Sequence, residues 1–142
     1  MKKILILILI SLVQNVFSQS KTTDNLSSNP PQEVITEENN SVHNLAGLEI
    51  KPEFPGGIDN LQRFIKENYK TPKIVGLKGK VYMTFIIEKD GSLSDIRTTR
   101  DLKHGTGEEA IRVLKISPKW IPGKQKGELV RVHYSIAIPI NQ

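Results

Sequence analysis

The sequence predicts an α+β fold in which two helices pack on one face of a three-stranded antiparallel sheet, in the order α-β-β-α-β. Three observations predict it. Two stretches repeat apolar residues at three- and four-residue steps, three stretches alternate apolar and polar residues, and turn or stop signals separate them. All five stretches fall in residues 50–142, enough chain for one small core.

The first helix follows the turn Phe54-Pro55-Gly56-Gly57. Ile58, Leu61, Phe64 and Ile65 recur along one stripe, while Asp59, Arg63, Lys66 and Glu67 face away. Pro72 stops the helix, because it lacks an amide and disfavours helix at Thr71. Lys80 to Glu88 is a strand with Val81, Met83, Phe85 and Ile87 on one side and Tyr82, Thr84 and Ile86 on the other. Asp90-Gly91 then signals a hairpin into a more polar return strand, Leu93 to Arg100, whose composition suits an edge. Thr106-Gly107-Glu108-Glu109 has the spacing of a capping box, and Ala110, Ile111, Val113 and Leu114 form the inward stripe of the second helix. Pro118 closes that segment. Trp120, between prolines 118 and 122, reads as a core plug. Val130 to Ile140 is the last strand: even-numbered Val130, Val132, Tyr134, Ile136, Ile138 and Ile140 are apolar, against Arg131, His133, Ser135, Ala137 and Pro139.

The chain ahead of this domain has two other characters. Residues 1–18 combine Lys2-Lys3, an apolar run from Ile4 to Ile10, and small residues at Val16 and Ser18, the pattern of a secretory signal peptide cut before Gln19. The alternative is a retained anchor, although the run falls short of the ~20 apolar residues a membrane span needs. Residues 19–49 are rich in Ser, Thr, Asn, Pro and Glu and have no period, so they read as a flexible tether. The tether is acidic, with five acids against one base, whereas residues 50–142 carry 17 bases against 10 acids.

These features exclude most chemistry. With no cysteine, the chain has no disulfide, thiolate nucleophile or cysteine-ligated metal. His43, His104 and His133 lack ligand spacing, Ser117 and Ser135 lack an activating base, and no phosphate-cradling glycine loop is present. Glu108 and Glu109 point about 100° apart on a helix and read as anions at its N-terminus. The basic residues are spread through all elements rather than clustered, so no nucleic-acid partner is expected. The expectation is a binding domain, with no enzyme activity and no cofactor.

Four motifs in series carry a family resemblance. They are Glu53-Phe54-Pro55-Gly56-Gly57; Gly79 to Tyr82 continuing through Glu88-Lys89-Asp90-Gly91-Ser92; Glu109 to Val113; and Pro118-Lys119-Trp120-Ile121-Pro122-Gly123-Lys124-Gln125 with Gly127 and Val130. Together they resemble the C-terminal domain of TonB-type energy transducers, in the form common in Bacteroidetes, over residues 51–141. The resemblance implies the same helix-strand-strand-helix-strand fold and a periplasmic role tied to transport. It also implies a partner, the TonB box, a short N-terminal segment of outer-membrane receptors that adds as an extra strand. The residues it would meet are those of the last strand: Val130, Arg131, Val132, His133, Tyr134, Ser135, Ile136, Ala137 and Ile138.

Two departures shape the expectation. The Tyr-Pro pair frequent after the family's first helix is replaced here by Tyr69-Lys70-Thr71-Pro72. A full transducer also keeps an anchor, through which an inner-membrane proton-driven motor complex pulls it, and a long proline-rich spacer. Here the motor enters only if the N-terminus is retained, and a tether of about thirty residues extends at most about 100 Å at ~3.3 Å per residue. Receptor recognition is therefore expected ahead of energy transduction. A different class of reading stays open: a periplasmic structural or interaction domain, pairing as a homodimer through its edge strand or meeting another envelope partner.

Overall fold

The computed structural model describes residues 40–141. Its elements are β1 (Val42–His43), α1 (Gly57–Asn68), β2 (Lys78–Ile87), β3 (Leu93–Arg100), α2 (Thr106–Lys115), β4 (Gly123–Gln125) and β5 (Glu128–Asn141). The expectations for residues 1–18 and for the tether as far as residue 39 lie outside the described residues.

Each long element forms for the reason its sequence suggests. Gly56 and Gly57 adopt φ of 80° and 84°, left-handed backbone that side chains with a Cβ avoid, and the Gly57 amide donates to the Phe54 carbonyl at 2.7 Å. That turn launches α1, which buries Leu61 and half-buries Phe64 and Ile65. β2 buries Val81, Met83, Phe85 and Ile87 on the face turned to the helices. Gly91 (φ 82°) makes the β2–β3 turn, and a Cβ there would lie 2.0 Å from the Trp120 carbonyl oxygen, so only glycine fits. Ala110, Val113 and Leu114 of α2 complete the layer.

Trp120 closes the core as a plug. It is 3% exposed, and its ring lies 5.5 Å from Phe54 and from Phe85 and 5.3 Å from Tyr134, all edge-on. Its indole N–H donates to the Ser117 hydroxyl at 3.3 Å.

The structure corrects three expectations. The sheet has five strands, in the path β1-β5-β2-β3 with β4 paired to β5, rather than three. The three long strands are antiparallel as expected, but β1 runs parallel to β5. Strands of two or three residues are too short to carry an alternation signal, and their pairing is decided by a neighbour distant in sequence. Residues 40–49, read as tether, are drawn into the fold through β1 and through Glu49, whose amide meets Gln125 and whose carboxylate accepts from the Gly127 amide. The capping box does not form. Gly105 occupies the cap, the Thr106 hydroxyl bonds Lys103 and Leu102 backbone, and Glu109 turns to Arg112 and the Lys70 amide. Thr106 is fully buried, so its hydroxyl satisfies the loop beside it.

Candidate functional site

β5 is the spine of the sheet. On one side it pairs with β2 through a continuous antiparallel register from Ile87↔Val132 to Lys78↔Asn141. At and ahead of the start of that register the strand has two further partners. Arg131 and Val132 pair with Val42 and His43 of β1, and Glu128 to Val130 pair with β4 in a hairpin. From His133 onward, no strand among the described residues pairs with the side of β5 turned away from β2.

The nine candidate residues are therefore divided. Val130 is buried in the hairpin opposite Gly123, and Arg131 and Val132 already carry β1, so these three are not an open edge. The stretch from Val130 to Ile138, expected to meet a partner strand, is thus already paired at its start. His133, Tyr134, Ser135, Ile136, Ala137 and Ile138 remain on the open stretch.

Two observations decide which of their amides point outward. Pro139 has no N–H, yet it sits opposite Lys80 in unbroken register, so its nitrogen faces away from β2. The Tyr82 carbonyl accepts from the Thr99 hydroxyl of β3 at 3.2 Å, so Tyr82 and its β5 partner Ala137 are a pair that exchanges no ladder bonds. Both give the same parity. The N–H and C=O groups of His133, Ser135 and Ala137 are directed to the open side, and those of Tyr134, Ile136 and Ile138 to β2.

Beside this edge, under α1, runs a groove of ≈ 670 Å³. Its helix wall is Ile58, Gln62, Ile65, Lys66 and Tyr69, one face at helical spacing, and its sheet wall includes Tyr134, Ile136 and Ile138. Ile58 is 60% exposed, although it belongs to the apolar stripe read as inward. The stripe is wider than the core needs, and the surplus faces the groove. Tyr69 is fixed there: its hydroxyl donates to the Thr106 carbonyl at 2.8 Å, and burial, with Glu109, Asp101 and Glu108 nearby, pushes its pKa up to about 12. It stays a neutral donor at any physiological pH. The end of α1 is held to α2 by Arg112, which donates to the Asn68 carbonyl and to Glu109.

The first rungs of the edge are held by a polar cluster. Arg131 grips the Glu88 carboxylate at 2.7 Å and 3.0 Å, and both side chains are about three-quarters covered, at 23% and 24% exposed. The guanidinium bonds, followed by the Ser94 hydroxyl, hold the Glu88 carboxyl below the usual carboxylate range against the cost of burial.

Sequence reasoning named the strand but not the groove or the cluster. A clue to the groove was present in Ile58, an apolar residue at the very start of the helix. None existed for Glu88 and Arg131, which are 43 residues apart. His133 is exposed, and no group of three His, Cys, Asp or Glu among the described residues is placed to hold a metal ion.

No curated protein matches the chain. Two solved structures are similar to it, both NMR solution structures of Helicobacter pylori TonB-CTD. One is 24% identical at a TM-score of 0.42, covering 58% of this chain and 90% of that one. The other is 26% identical at a TM-score of 0.37, covering 62% and 88%. Residues 73–141, from just after α1 to the end of β5, match the family described as Gram-negative bacterial TonB protein C-terminal, and over that segment the chain is a member of the TonB C-terminal family.

Proposed function

We propose that this chain is a non-catalytic periplasmic binding module that takes up the TonB box of outer-membrane receptors by strand addition at β5. In TonB proteins, the C-terminal domain interacts with outer-membrane receptors. One observation carries the reading to these residues: an unpaired, regular edge at His133–Ile138 lies beside an apolar groove. Outward amides and carbonyls of Ser135 and Ala137, with the His133 carbonyl, supply the ladder bonds, and alternate side chains of the incoming strand enter the groove against Ile58, Ile65, Tyr134 and Ile136. Lys66 at the rim favours an acidic residue on the ligand.

Titration of the whole protein with a TonB-box peptide, followed by isothermal calorimetry, tests this. Saturable binding that Ala137→Pro abolishes while circular dichroism is unchanged supports it. Binding unaffected by Ala137→Pro places the contact elsewhere. Sedimentation of the unliganded protein separates the competing occupant, a second copy pairing edge to edge: a dimer that Ala137→Pro dissociates favours that homodimer instead.

A further inference from the structure

β5 accepts a strand already, and it is the chain's own. β1 is two residues long, and Val42 is 42% exposed, so its own burial holds it weakly. The holding is done from across the sheet. Arg131 spends Nε and Nη2 on Glu88 and turns its remaining Nη1 to the Asn40 carbonyl at 3.0 Å and the Asn40 side-chain oxygen at 2.9 Å. One guanidinium thus ties the end of β2 to the backbone entering β1. At the other end of the open stretch, Pro139 presents no N–H.

We infer that β1 and Pro139 are the two stops of the strand-addition site, and that Arg131 sets the first of them. An added strand is then confined to the rungs from His133 to Ile138, which fixes its register as well as its length. This rests on the strand-addition reading above. The first stop is a self-strand that a longer ligand has to displace. Displacement is chemically feasible, because the Asn40 bonds are exposed and water replaces them, while Arg131 keeps Glu88 and no covered charge is orphaned. The second stop is covalent and does not yield.

The chain has no native cysteine, so the first stop can be toggled within one protein. Val42 and Arg131 are Cα partners on adjacent strands, a spacing of ~4.8 Å that a disulfide spans. In the whole protein carrying Val42→Cys and Arg131→Cys, the reduced form lacks the clamp and the oxidised form has β1 locked. The probes are two synthetic TonB-box peptides, one of about six residues to fit the open stretch and one extended by about three toward β1, at ~3.3 Å per residue. The short peptide is expected to bind both redox forms alike. The long one is expected to bind the reduced form about fivefold more tightly than the oxidised one, the order of one or two added net hydrogen bonds. His43→Pro, which leaves Arg131 and Glu88 intact, is expected to give the same gain for the long peptide alone, with circular dichroism unchanged. If both peptides bind but their affinity ratio is the same in the oxidised, reduced and His43→Pro proteins, the stop is overturned while strand addition stands. If neither peptide binds even the parent protein, strand addition itself fails and the stop fails with it.

Discussion

The two edges of this sheet are built to opposite specifications. β3 is irregular: its register with β2 shifts twice, Asp95 sits at φ 48°, and Arg97, Arg100 and the Arg97–Asp95 ion pair line its outer side. Bulges and charges of this kind prevent another strand from docking. The open stretch of β5 has an uninterrupted ten-pair register behind it and small residues, Ser135 and Ala137, at outward positions. Beside it runs a groove walled by Ile58, Ile65, Tyr134 and Ile136, with Lys66 at its rim. The two edges thus differ in backbone regularity as much as in side-chain polarity, and on the proposed reading that difference directs association to β5.

The largest expected effect comes from removing the support behind β5. Trp120→Ala should destabilise the domain by about 3–5 kcal/mol, since the ring is buried against Phe54, Phe85 and Tyr134. A denaturant midpoint close to that of the parent would show that the groove wall does not depend on this ring.

A proline pair sharpens the parity. Ile136→Pro removes an amide that faces β2 and should unfold the domain, whereas Ala137→Pro removes one that faces outward. The second variant should fold normally and bind a TonB-box peptide at least about tenfold more weakly, or ~1.4 kcal/mol. If the two variants exchange behaviour by circular dichroism, the parity read from Pro139 and Tyr82 is inverted.

On the opposite edge, Arg97→Ala should change little. Its ion pair with Asp95 is exposed, at 70% and 47%, so stability should stay within about 0.5 kcal/mol. Peptide affinity should be unchanged. A marked loss of peptide binding there would mean that both edges take part and that the contrast is misplaced.

The smallest expected effect is a pH dependence at the first rungs. The folded state holds the Glu88 carboxyl below its ordinary 4.5, chiefly through Arg131, so this group adds stability above that pH. The contribution is lost as pH falls through the lowered folded-state value. Thermal melts of the parent and of Glu88→Gln should therefore differ at neutral pH and converge in acid. A difference that grows on acidification would contradict the assigned direction.

Much of this protein was legible as sequence because local physics repeats locally. The stripe Leu61-Phe64-Ile65, the alternation of Val81 to Ile87, the Asp90-Gly91 turn and the even-numbered apolar run of β5 each satisfy a period within one element, and each formed where expected. Trp120 was legible too, since a lone tryptophan between two elements has few places to go but the core. The capping box failed for an equally physical reason. Thr106 has a local bonding partner at Glu109 only if neither is claimed from outside, and burial against the loop claimed one while Arg112 and Lys70 claimed the other.

By itself, the sequence determined the number and type of the long elements and the sidedness of each, because those follow from spacing along the chain. Only the tertiary structure decided how much of that strand is open. The β1 pairing, the clamp of Arg131 on Glu88 and Asn40, and the groove under Ile58 join residues tens of positions apart. No periodicity encodes such a meeting, since it exists only once the sheet and helices have brought those residues together.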